Sequence, residues 1–149
     1  MNSRLARIAD EQEVRRVLAE ARLDLVDMVF NDIRFIVADD DRSGRIVGTV
    51  GLELYPPDAL LRSLAVSPAA RGGGLGSLLV HDAIREASRA GCSRIVLLTL
   101  DAMDFFARFG FEPVDRISVE GDVANSPQFA GHCPESATAM SMQLHGMTP

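Results

Sequence analysis

The chain has 149 residues, enough for one domain with a sizeable core, and 47% of them are apolar, which excludes a disordered polymer. A formal net charge of −6 argues against a broad nucleic-acid surface, and no apolar run reaches the length of a membrane span. Two cysteines are too few for a disulfide framework or a zinc site of their own, and all fifteen basic residues are arginine, which excludes Schiff-base chemistry on a lysine.

Arg4–Ile8 alternates and predicts a first strand. Asp10 with Glu13 three residues on has the pattern of a capping box, and Val14, Val17, Leu18 and Ala21 follow at helical spacing. Leu23–Asn31 is compatible with a short helix or a loop. Arg34–Ala38 reads as a strand, Asp39–Gly44 as a polar turn, and Ile46–Tyr55 as the returning strand, with Gly48 and Gly51 placed at a bulge. Pro56-Pro57-Asp58 makes the next turn, and Leu60–Val66 the fourth strand. Short turns between these runs suit an antiparallel meander.

Pro68 ends the fourth strand, and Arg71-Gly72-Gly73-Gly74-Leu75-Gly76 follows. Leu75, Leu78, Leu79, Ala83 and Ala87 recur at helical spacing, so a helix starts near Gly74 and stops at Ala90-Gly91. Strand, glycine loop and helix N-terminus in that order make an anion site suited to a phosphate or pyrophosphate. It is not a Walker loop, since no Gly-Lys-Ser/Thr follows, and it is a poor dinucleotide fingerprint.

Arg94–Leu100 is continuously apolar, as expected of a strand covered on both faces and parallel to the fourth in a right-handed crossover. Asp101 is placed to cap the next helix, which carries Ala102, Phe105, Phe106 and Phe109 on one face and ends at Gly110-Phe111. Phe111–Val114 predicts a sixth strand. Periodicity then fails from Asp115 to Ser136, apart from one helical turn at Gln128–Gly131, and a loop that long suggests a functional lid or disorder. Ala137–Leu144 alternates as a last strand paired with the sixth.

Arg71-x-x-Gly74-x-Gly76 resembles the Q/R-x-x-G-x-G/A signature of the GNAT N-acetyltransferases, and Asp104 to Glu112 is similar to their second signature, F-Y-x-x-x-G-F. The stretch Phe105–Arg116, with Phe129, Cys133-Pro134 and Ser136-Ala137, resembles the branch associated with arsenic resistance and the acetyltransferase domain of N-acetylglutamate synthase. The resemblance implies one domain over residues 1–149. Its fold is α/β (α+β): a single mixed, mostly antiparallel twisted sheet of about seven strands with helices on both faces, strands four and five parallel and splayed. It implies acetyl-CoA as co-substrate, with Leu64, Ala65 and Val66 on the pantetheine arm. Arg71, Gly72, Gly73, Gly74, Leu75, Gly76 and Ser77 would lie on the pyrophosphate, and Phe105 and Phe106 also against the cofactor. Family members often carry tyrosine where Phe106 stands, to protonate the departing thiolate; Tyr55 is the sole phenol in the chain that can substitute, and water is the alternative.

Glu53 is the candidate base, on the third strand two residues before Tyr55 and on its face. An ordinary solvated carboxylate is the bland alternative. Arg62 and Arg116 are candidates for gripping an acceptor carboxylate, because a guanidinium matches a carboxylate bidentately. Surface ion pairs are the alternative for both. Ser126 and Phe129 in the long loop, and Phe30 before the second strand, are further acceptor candidates, with core packing the alternative for Val26, Met28 and Phe30. His132-Cys133 lacks further ligands, so no metal is expected. The expectation is a cytoplasmic N-acetyltransferase acting on a small amino acid or amino-acid-like toxin in a ternary complex. No nucleic acid and no membrane take part, and a homodimer is allowed. Acetylation of a protein or peptide is the rival within enzymes, and a non-catalytic CoA-binding sensor the rival outside them.

Overall fold

The computed structural model describes residues 2–23, 25, 28–132 and 136–144. Seven strands are formed: β1 (Asn2–Leu5), β2 (Arg34–Asp39), β3 (Ile46–Tyr55), β4 (Asp58–Val66), β5 (Arg94–Thr99), β6 (Glu112–Val114) and β7 (Thr138–Gln143). The α-helices are α1 (Glu11–Glu20), α2 (Leu75–Arg89) and α3 (Met103–Ala107). One sheet runs in the order β1-β2-β3-β4-β5-β7-β6. It is mixed and mostly antiparallel, with β4 and β5 parallel, as the sequence led us to expect. The chain divides into two compact units, Met1–Glu53 with Leu61–Glu86, and Leu54–Leu60 with Ala87–Pro149.

In the first unit, Val14, Val17 and Leu18 of α1 bury against Phe35 and Val37 of β2, Ile46 of β3 and Ala65 of β4. The opposite face of the sheet takes α2. A Cβ built on Gly48 would lie 2.9 Å from a Leu79 methyl and 3.0 Å from one of Leu75. Gly51 is equally crowded, since a Cβ there would lie 2.8 Å from Ile33 and 3.1 Å from the Phe35 ring. The expected bulge is real only near Gly48, where the β2–β3 register shifts between Ala38 and Asp39. Gly51 pairs regularly with Phe35. It is glycine because its neighbours leave no room.

Two local expectations fail at the N-terminus. The first strand is Asn2–Leu5 rather than Arg4–Ile8, because Ile8–Asp10 coils into a 3-10 turn that leads straight into α1. Asp10 adopts helical dihedrals and makes no side-chain cap to α1. Its carboxylate instead accepts from the Arg7 backbone N–H at 2.7 Å and from Arg4 at 2.8 and 3.2 Å, while Arg4 also reaches Asp39 at 2.8 Å. Those bonds, Arg4 foremost, hold the Asp10 carboxyl below its ordinary range. Nearby, Arg45 and Arg16 hold Glu13 down to about 2.

A carboxyl depressed in the folded state contributes stability that is complete above its unfolded value and disappears as pH falls through its folded value. Asp10→Asn is therefore expected to lower the melting temperature by about 5 °C at neutral pH. The gap from wild type should close as pH falls from about 5 towards 2. Thermal unfolding followed by circular dichroism across that range checks this; a gap independent of pH would show that Asp10 acts by packing alone.

In the second unit, Ile95, Val96 and Leu97 of β5 are buried, which accounts for their continuous hydrophobicity. Arg94 donates to both carboxylate oxygens of Asp58, at 2.8 and 3.0 Å, where the parallel pairing of β4 and β5 begins. The long loop is irregular but not structureless. It winds through 3-10 turns at Arg116–Ser118 and Asp122–Asn125 and a π-type turn at Gln128–His132. Val119 and Val123 from this loop pack on Leu60 and Val96. Asp101 does not cap α3. The Ala102 N–H is accepted by Thr99 Oγ1 at 3.0 Å, from the last residue of β5.

Candidate active site

The glycine loop lies in the first unit. After β4 ends at Val66, a 3-10 turn at Pro68–Ala70 leads into Arg71, whose Nε donates back to the Val66 carbonyl at 3.0 Å. Gly72 and Gly74 then take φ of 89° and 81°, a left-handed conformation that L side chains adopt only with strain. The Gly74 carbonyl accepts the first bond of α2, from the Leu78 N–H at 3.1 Å. The N–H groups of Leu75, Gly76 and Ser77 therefore have no intrahelical acceptor. No acidic side chain occupies that first turn. A Cβ built on Gly72, Gly73 or Gly74 would meet nothing within 4 Å, so the backbone is open to close approach. Open space over the glycines, N–H groups without an intrahelical acceptor and a positive helix end together fit a pyrophosphate.

Strand β4 leads to that loop with an irregularity inside it. Ser63 has φ of 58°, a left-handed conformation for a non-glycine residue within a strand. Its carbonyl accepts from Thr49 Oγ1 at 2.9 Å, and its hydroxyl accepts from Arg62 Nε at 3.1 Å. Arg62 Nη1 also donates to Glu53 Oε2 at 2.5 Å. The two side chains are only 2% and 8% exposed, so this is a buried ion pair. Downstream, Ala65 is buried under α1, whereas Leu64 and Val66 are partly exposed. The register between β4 and β5 ends at Leu60 opposite Val96, six residues before β4 itself ends. The candidate base and one candidate clamp thus hold each other. Glu53 is not an ordinary solvated carboxylate, and Arg62 is no surface cation.

The other candidates fall elsewhere. Phe30 stacks on Phe35 with centroids 5.4 Å apart and belongs to the buried core of the first unit; Met28 is buried there too, and Val26 lies outside the described residues. In the second unit Tyr55 packs against the cluster of Leu60, Val96, Val119 and Val123. Phe106 is buried, edge-on to Phe105 at 5.2 Å and to Phe111 at 5.7 Å. Arg116 donates to the Gln128 carbonyl at 3.2 Å, and its guanidinium carbon sits 6.0 Å from the centre of the Phe129 ring. Ser126 is buried and its hydroxyl has no hydrogen-bond partner among the described residues. Cys133 lies outside the described residues, and among those described no group of three or more His, Cys, Asp or Glu side chains could hold a metal. None of the described helices is long and apolar enough to cross a membrane.

Sequence reasoning missed Ser63 and Thr49, which look like ordinary small residues in strands and give no signal. The Glu53–Arg62 pair did leave one. A turn at Pro56-Pro57 folds β4 back along β3, and two opposite charges nine positions apart straddle it.

A glycine loop between a strand and a long helix, in a sheet of this order, defines an α/β protein with an anion-binding site at the start of α2. The chain belongs to the acetyltransferase (GNAT) family, whose sequence profile matches residues 4–111. Membership makes acetyl-CoA the co-substrate and acetyl transfer to an amine the class of reaction. A protein of Chlorobaculum tepidum described as an uncharacterized N-acetyltransferase is 33% identical over 121 residues, or 76% of either chain. An amino-acid acetyltransferase of Mycobacterium tuberculosis is 30% identical over 90 residues, 60% of this chain and 51% of that one. N-acetylglutamate synthase from Neisseria gonorrhoeae, solved with coenzyme A and N-acetyl-glutamate, superposes with a TM-score of 0.79 at 21% identity, over 97% of this chain but 35% of that one. A Mycobacterium tuberculosis protein solved with CoA gives 0.80 at 22% identity, over 97% and 99% of the two chains.

Proposed function

We propose that the acceptor is the α-amine of a small amino acid or an amino-acid-like toxin, attacking the donor directly while both are bound. The observation that carries this reading is the buried carboxylate of Glu53 on β3, held by Arg62 of β4 two residues before that strand's donor-binding tail. The amino-acid acetyltransferase relative supports it, although this chain spans about half of that protein.

The co-substrate, when bound, supplies an acetyl group activated as a thioester. Gly72–Ser77 bind its pyrophosphate, and backbone groups of Leu64 and Val66 align its arm, with Phe105 and Phe106 as further donor contacts. Glu53 takes a proton from the acceptor ammonium, directly or through one water. The freed nitrogen attacks the carbonyl carbon, the carbon–sulfur bond breaks, and the thiolate receives a proton from Tyr55 or water. For the acceptor we propose Arg116, Ser126 and Phe129. A buried hydroxyl without a partner costs about 1–3 kcal/mol, and a polar acceptor group reaching it would remove that penalty.

Release of free thiol from acetyl-CoA, measured over the amino acids, their amides, phosphorus and arsenic analogues and short peptides, tests the reading. Turnover of a free acidic amino acid ahead of its amide is expected. Turnover of peptides alone would establish the peptide-acceptor alternative, and calorimetric binding without release the sensor. Arsenic resistance would require an arsenic analogue among the good acceptors. Arg116→Ala should raise the KM of the acidic acceptor up to about a hundredfold, the loss of one bidentate contact of roughly 2–3 kcal/mol, and leave acetyl-CoA affinity alone. Unchanged acceptor kinetics would remove Arg116 from the acceptor site and leave it as a brace within its loop.

A further inference from the structure

We propose that Arg62 is a positioning residue for the donor: anchored by Glu53, its guanidinium holds Ser63 in the left-handed conformation that aims the tail of β4. This rests on the assignment of Leu64–Val66 and the glycine loop to acetyl-CoA.

Three observations meet at one residue. Ser63 is left-handed within a strand, where a side-chain-bearing residue stays only if its surroundings hold it there. Both of its polar oxygens are held, the carbonyl by Thr49 at 2.9 Å and the hydroxyl by Arg62 at 3.1 Å. Arg62 is itself immobilised, since its other arm is bound to Glu53 at 2.5 Å and its side chain is 2% exposed. A guanidinium carries donors in a rigid fork, so fixing one arm fixes the direction of the other. The chain from Glu53 through Arg62 to Ser63 thus ends on the backbone step immediately before Leu64. A rotation of the Ser63 dihedrals would swing the N–H and C=O groups of Leu64–Val66, and the glycine loop beyond them, as one piece. Misplacement by about 1 Å is enough to spoil binding geometry of this kind.

Lysine and arginine separate the two arms. Arg62→Lys keeps a positive charge for Glu53 but, as a single point donor, cannot also hold the Ser63 hydroxyl in the same geometry. Ser63→Ala removes the same bond from the other side and keeps the strain. Glycine at position 63 adopts the left-handed conformation without help.

Calorimetric titration with acetyl-CoA, which needs no acceptor, reads the outcome. Arg62→Lys and Ser63→Ala should each weaken donor binding about tenfold, and together no more than either alone, because they break one bond. Adding Ser63→Gly to Arg62→Lys should bring affinity back to within about threefold of wild type, a rescue that a merely structural role for Arg62 does not produce. Failure of glycine to restore binding overturns the inference. So does an Arg62→Lys variant with wild-type donor affinity and a raised acceptor KM, which would make Arg62 an acceptor clamp. Where Arg62→Lys does not fold, Ser63→Ala and Ser63→Gly still divide the two answers, the first weakening donor binding and the second preserving it. A folded wild type that takes up no acetyl-CoA overturns the donor assignment itself, a different failure from a donor-binding wild type whose variants bind equally well.

Discussion

Gly74→Val is expected to weaken acetyl-CoA binding by at least about a hundredfold in a chain that still folds. Position 74 has φ of 81°, and its carbonyl accepts the first bond of α2. Valine is branched at the carbon that glycine lacks and resists this conformation by about 1–2 kcal/mol, so the loop would turn away from its present course. Bonds from an N–H to a charged oxygen contribute about 1.5–3 kcal/mol each, and losing two of them to a displaced pyrophosphate exceeds a hundredfold. The added side chain would also stand in the open space over the loop, where a Cβ now meets nothing within 4 Å. Calorimetry gives the affinity and circular dichroism the fold. A folded variant with unchanged affinity would remove the glycine loop from the donor site.

Glu53→Gln should cut kcat/KM for the acceptor by about a hundredfold or more near neutral pH, the usual scale for a lost general base. The deficit should narrow as pH rises, because at high pH the acceptor arrives as free amine and needs no base. Stability moves as well. Arg62, 2% exposed, would be left opposite a neutral amide, so the melting temperature should fall. The two effects separate cleanly: the stability loss is read without acceptor, and the kinetic loss through its dependence on pH. An equal rate deficit at every pH would show that Glu53 serves through Arg62 rather than as a proton acceptor.

Most of the framework was legible where local chemistry acts alone. The run Ile46–Tyr55 is β3 to the residue, since its turns are marked on both sides by Gly44 and by Pro56-Pro57. The stop at Gly91 is equally local. Its φ of 88° lets the Gly91 and Cys92 N–H groups close back on Ser88 and Ala87, both at 3.0 Å. Expectations failed where a second local partner took the group that the simple pattern had assigned. Asp10 was free in principle to cap α1, but Arg4 and the Arg7 amide claim its oxygens. Asp101 stands beside α3, yet Thr99 is better placed at the strand end. For Phe30 both a pocket wall and core packing were open, and its stacking on Phe35 agrees with the second. At the site, the glycine signature is written in consecutive residues, whereas the Ser63 turn depends on Thr49 and Arg62 arriving from two strands, which no pattern of apolar spacing encodes.

The crowded glycines of β3 bear on how this chain drifts under selection. Gly48 and Gly51 should tolerate replacement as poorly as Gly72 and Gly74, so a catalogue of tolerated variants would rank all four alike. The causes are opposite. At 48 and 51 a single methyl would collide with Leu79 or Ile33, whereas at 72 and 74 there is space to spare and the handedness of the backbone is what restricts the choice. Compensation should differ accordingly. A shortened neighbour, such as alanine at 79, could admit alanine at 48, while no change of neighbour relieves a left-handed valine at 74. Paired substitutions would thus mark the glycines that make room for neighbouring side chains, and their absence those held by a left-handed backbone.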